Sequence, residues 1–152
     1  MPKVKSALVD RNAKILAQAN PAYERINAAW ETAEAYIQKL GVLAPVEHCY
    51  ETHRYMSYYI GVQKRSGKWR VCHGTYDEEE AIRFEHETQN EDYEYGTTWT
   101  ALSDCHIDLR VALIKHLGAL IEAVVESNEK VVPTLLKSAD EMEATLKDLG
   151  IA

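Results

Sequence analysis

The chain has 152 residues, 46% of them hydrophobic and 27% charged, a balance that suits one globular domain and excludes wholesale disorder. Its net charge of −7 disfavours a nucleic-acid partner, and the most apolar stretch, Val111 to Val125, is broken by Lys115, His116 and Glu122, which excludes a membrane span there. Three cysteines without framework spacing, and a start with no apolar leader block, lead us to expect a cytoplasmic protein.

The first predicted element is a long helix over residues 4–40. From Leu16 the apolar positions run Leu16, Ala19, Tyr23, Ile26, Trp30, Ala33, Ile37, Leu40, the alternating spacing of a coiled-coil seam. Asn20 and Pro21 interrupt it, either capping a fresh helix or kinking a continuous one. Gly41, with Pro45 shortly after, marks the stop.

Over 54–76 the period falls to two. Tyr58, Ile60 and Val62 alternate with Tyr59, Gly61 and Gln63, and Trp69, Val71 and His73 alternate with Arg70, Cys72 and Gly74. A two-residue Ser66–Gly67 turn would pair Val62 with Val71, Ile60 with His73 and Lys64 with Trp69, putting the apolar side chains on one face. Residues 46–50 could add a third strand.

Charge then changes abruptly. Residues 1–76 carry a net +5, residues 77–94 a net −8 and residues 95–152 a net −4. Asp77 could cap a short helix, but the Glu-rich stretch that follows has no period, and 77–98 reads as an acidic loop. A second helical region is expected over 103–149, with Leu113, Ile114, Leu117, Leu120, Ile121 and Val124 as a wide apolar stripe. The pattern breaks between Asn128 and Pro133, by kink or by loop. Leu135, Ala139, Met142, Leu146 and Leu149 mark a last helix ended by Gly150.

The expected fold is therefore α+β. A bundle of long amphipathic helices forms a single domain over 1–152, with a central β-hairpin of two or three antiparallel strands packed at one end.

Few residues carry chemistry. Every cysteine has a histidine neighbour (His48–Cys49, Cys72–His73, Cys105–His106), yet none has ligand spacing, so no metal or other cofactor is expected. No catalytic motif stands out. Placing Leu117 at the centre of the second stripe puts Arg110 and His106 each about 20° from it, both facing inward, where they could hold a small anion. Glu85, Glu87, Glu91 and Glu94 are internal carboxylates that could pair with Arg110 instead.

Seven of the nine tyrosines fall between Tyr50 and Tyr95, beside a basic hairpin tip. Aromatic and basic side chains of this kind favour protein contact. Tyr58, Tyr59, Lys64, Arg65, Lys68, Trp69, Arg70, Tyr93 and Tyr95 are the candidate interaction surface. The expected function is a non-enzymatic interaction or assembly protein that self-associates, as a homodimer in the simplest case, or engages another protein. Two alternatives are a small anionic-ligand binder or enzyme at His106 and Arg110, and an acidic inhibitor occupying a basic site on another protein.

Overall fold

The computed structural model describes residues 2–88 and 95–151. Helix α1 spans Pro2–Leu40, followed by strands β1 (Val46–His53), β2 (Met56–Arg65) and β3 (Lys68–Asp77). Helix α2 (Glu78–Thr88) and strand β4 (Thr98–Ala101) come next. A 3-10 turn (Leu102–Asp104), helix α3 (Ile107–Ala112) and a second 3-10 turn (Ile114–His116) lead into helix α4 (Leu117–Asp148). The class is α+β, with the four strands in one antiparallel sheet of order β1-β2-β3-β4.

The β2–β3 hairpin has the register that its alternation implies: Val62 opposite Val71, Ile60 opposite His73 and Lys64 opposite Trp69. Ser66 and Gly67 both take positive φ, 50° and 80°, the geometry of the tight turn whose twist matches the strands. Residues 46–53 do form a third strand, and in the two-residue β1–β2 turn Arg54 alone takes positive φ, 55°. An irregularity between Cys49 and Glu51 leaves Tyr50 without a direct partner across β2.

Residues 77–88 depart from the expected loop, whose remaining part at 89–94 lies outside the described residues. Asp77 Oδ1 accepts a hydrogen bond from the Glu80 N–H at 3.1 Å, and Glu78, Glu79 and Glu80 in the first turn suit the positive end of the helix dipole. These local terms, with Ala81 buried, carry α2 without a long apolar period. Strand β4 adds a fourth strand to the expected two or three, pairing with Cys72 to Thr75.

The two sheet faces differ in kind. Val46, Ile60, Val62 and Val71 face the helices and build the core with Ile37, Leu113, Leu120 and Val124. On the opposite face Trp99 lies across Gly61 and Gly74. A Cβ at Gly74 would sit 2.7 Å from the Trp99 ring and 2.8 Å from Thr97. The glycines make room for an indole where any side chain would lift it from the sheet.

The helices match the expected bundle only in part. α4 packs on β1 and α1 packs on β3 and α3. Glu34 of α1 ties its helix to β3: its carboxylate accepts from Arg70 Nε at 2.8 Å and from the Val71 N–H at 2.9 Å. That N–H lies just beyond the reach of β4, so a side chain completes the strand edge. Pro21 and Pro133 both sit inside continuous helices. The second helical region, by contrast, is broken at residues 113–116.

Replacing Gly74 with Ala should lower stability by about 1–3 kcal/mol, the usual cost of overpacking. In a Trp99→Ala background the same change should cost far less. Urea denaturation of the two single variants and the double variant measures this coupling.

Candidate interaction surface

Taking 100° per residue along α1, Leu8, Ile15, Leu16, Ala19 and Tyr23 all fall within about 60° of the direction of Trp30. Trp30 and Ile37 on that face are buried in the core, whereas Leu8 is 58% exposed and Leu16 47%. Along α4, Val131, Leu135, Met142, Leu146 and Leu149 fall within about 40° of buried Val124. Leu135 and Met142 are nevertheless 52% and 58% exposed. Each helix thus carries its core-facing stripe out beyond the layer that covers it.

Two sets of contacts fix where those exposed halves point. Trp30 Nε1 donates to the Arg110 carbonyl at 2.9 Å, and Ile26 and Ala29 share a groove with Ile114 and Leu117. Further along, Asn128 donates to the Gly41 carbonyl at 2.9 Å and accepts from the Leu43 N–H at 3.1 Å. The helices therefore advance in the same direction over their covered parts. The uncovered half of α1 projects from one end of the sheet layer, and that of α4 from the other. They cannot cover each other within one chain.

The surface area records this. The chain exposes 11413 Å², against about 7,800 Å² for a compact monomer of 17.3 kDa, an excess of roughly 3,600 Å². At the root of the α1 projection lies the open groove, about 370 Å³, lined by Ala22, Arg25, Ile26, Ala29, Trp30, Ile114 and Leu117.

A second feature is an aromatic and imidazole cluster between the sheet and the start of α4. The Tyr50 hydroxyl lies 2.6 Å from His73 Nε2, and its ring centre 4.9 Å from that of His116. Tyr58 stacks on His73, and His48 approaches His116. Burial pushes the Tyr50 hydroxyl up to about 12, reinforced by Glu51, and burial pushes His73 and His116 down. Both directions fit a neutral imidazole accepting from a protonated tyrosine.

The sequence-predicted residues fall in several places. His106 does not face inward. Its side chain is 75% exposed, and Nδ1 caps α3 by accepting from the Asp108 N–H at 3.3 Å. The wheel that placed it assumed one continuous helix from 106 to 117, and the breaks around α3 rotate the chain away from that phase. The same breaks leave Ile114 exposed while Leu113 is buried.

Arg110 is partly buried. It borders a pocket of about 110 Å³ with Asn27, Glu31, Glu34 and Arg70, which the outward-facing ring of His106 does not line. Among the described residues its Nε has no hydrogen-bond partner, and neither has Asn27 Oδ1. Glu85 and Glu87 are exposed on α2 and form no ion pair with it; Glu91 and Glu94 lie outside the described residues.

At the hairpin tip Arg65 donates to the Trp99 carbonyl, Arg70 pairs with Glu34, and Lys64 sits over the Trp69 ring, while Lys68 is exposed. Tyr58 and Tyr59 are half-buried, the latter against Trp99. Tyr95 donates to Glu80 and packs between Tyr76 and Phe84, and Tyr93 lies outside the described residues. Cys72 and Cys105 are pushed up by burial, and their thiols face backbone carbonyls. Among the described residues no three His, Cys, Asp or Glu side chains are grouped to hold a metal, and no helix is long and apolar enough to cross a membrane.

No protein-family model matches the sequence, and neither a curated protein nor a solved structure is significantly similar to it.

Replacing Arg110 with Met keeps most of the volume and removes the unpartnered donor. Stability should hold or rise by about 1 kcal/mol, read from the urea midpoint. The histidines set a second expectation. Because His73 and His116 titrate below their unfolded value of 6.5, stability is full above that pH and is lost as pH falls through it. Tyr50 sets the opposite limb, with stability present below 10 and lost as pH rises toward about 12. Denaturation midpoints across this range should fall at both ends, and His73→Gln should flatten the acid limb.

Proposed function

We propose that this chain is a non-enzymatic assembly protein that associates with copies of itself through the uncovered halves of α1 and α4. The observation that supports this most directly is the continuation of both core stripes past the sheet. Each is built like a core surface, at the spacing and on the face that the fold buries elsewhere. The excess of roughly 3,600 Å² gives the scale, since a standard interface removes about 800 Å² from each partner. The tyrosines and basic residues of the hairpin, the surface expected from sequence, mostly engage groups of their own chain. The helical projections are the better contact surface.

A second reading draws on one observation. The pocket beside Arg110 holds an unpartnered donor and an unpartnered acceptor, which suits a small polar or anionic ligand of a few heavy atoms. Retention of a small molecule in native mass spectrometry, lost in Arg110→Met, would favour it.

Multi-angle light scattering of the chain at roughly 10–100 μM, the range in which a weak interface saturates, should give a mass above that of one chain and rising with concentration. A mass that stays at 17.3 kDa throughout removes the proposal.

A further inference from the structure

We propose that the self-association is head to tail: the projecting half of α4 in one copy lies parallel to the projecting half of α1 in the next, and brings Leu149 and Ile151 to the groove beside Trp30. This rests on the self-associating reading above and names its partner surfaces.

Three observations carry it. The first is position. The two projections leave opposite ends of the sheet layer, so a copy placed end to end brings α4 of one against α1 of the next.

The second is charge. On α1, residues 5–20 carry Lys5, Arg11 and Lys14 against Asp10. On α4, residues 135–148 carry Asp140, Glu141, Glu143 and Asp148 against Lys137, which bridges Glu141, and Lys147. All of these side chains are exposed. Pairing α1 with α1 or α4 with α4 would set like charges together, while pairing α1 with α4 sets opposite charges together.

The third is spacing. Val9, Leu16 and Tyr23 recur every seven residues on α1, and Leu135, Met142 and Leu149 do so on α4. Laid parallel with these in register, Leu149 reaches the level of Tyr23, where the groove begins. Leu149 and Ile151, 67% and 69% exposed, are the apolar side chains available to fill it.

Each copy then uses two different surfaces. Two standard interfaces would take roughly 1,600 Å² from a chain, within the observed excess. Such a contact is heterologous, so it propagates into a chain of copies or closes into a ring, rather than stopping at a two-fold dimer.

The test uses two exposed positions, Leu16→Glu on α1 and Met142→Glu on α4, studied alone and mixed by sedimentation velocity. Helical circular dichroism equal to the parent's, with a cooperative melt, shows that each variant is folded. The parent should form species larger than a dimer. Each variant alone should be a monomer, and the equimolar mixture should form a one-to-one dimer that grows no further. The first variant keeps only its α4 end and the second only its α1 end.

Charge reversal gives an independent reading that leaves the stripes intact. Lys5→Glu with Arg11→Glu, or Glu141→Lys with Glu143→Lys, should each weaken assembly by roughly tenfold or more at low salt, and the two sets combined in one chain should restore it. A variant that dimerises alone shows like helices pairing with like and overturns the proposal. A mixture without dimer, from a parent that assembles, also overturns it while leaving self-association standing. A parent that stays monomeric removes both readings. If such a monomer binds vesicles of anionic lipid through α1, the occupant of that face is a lipid surface.

Discussion

A ten-residue strand spans about 34 Å, whereas a helix of 39 residues runs to about 58 Å and one of 32 to about 48 Å. Among the described residues the sheet, together with α3, supplies the surface against which α1 and α4 bury apolar side chains, so a large part of each helix extends beyond it. The core gathers where coverage exists, at Trp30 and Ile37 on one helix and Leu120 and Val124 on the other. The direction of the projections, their exposed stripes and the large surface area all follow from this mismatch of lengths.

Much of the fold was legible because local rules acted without competition. The β2–β3 register follows from alternation and a two-residue turn, and Gly41, at φ 95°, ends α1 by accepting a conformation that other residues avoid. The seam from Leu16 to Leu40 was legible as a periodic face, but periodicity does not say what covers a face. Only its later half meets the core. The Asp77 cap pointed to a short helix, but the lack of an apolar period made the segment read as a loop, and β4 was missed because pairing with β3 outweighs weak apolar patterning. Trp99 held a signal of its own: a tryptophan between threonines can add to a sheet whose neighbouring strands carry glycines at matching positions.

The inward pair His106 and Arg110 shows how a site can be misplaced by one assumption. Angular phase is conserved along an unbroken helix and lost across a 3-10 turn, and two such turns flank α3. Arg110 still reaches a partly buried position, but through the packing of α3 on α1 rather than through the stripe. Its neighbours are then Asn27 and Glu31, which no reading of the acidic segment would have suggested. Sequence reasoning also missed the cluster around Tyr50, since its members come from three strands and the start of α4.

Asn128 occupies an unusual mechanical position. Its side-chain amide bridges the end of α1, at Gly41 and Leu43, to the middle of α4. Tension between the free tips of the two helices would cross at this clamp, at the Trp30 contact by way of α3, and through the sheet on which both helices pack. The two helices thus act as a strut spliced at its centre, with the sheet as the plate that joins the two halves.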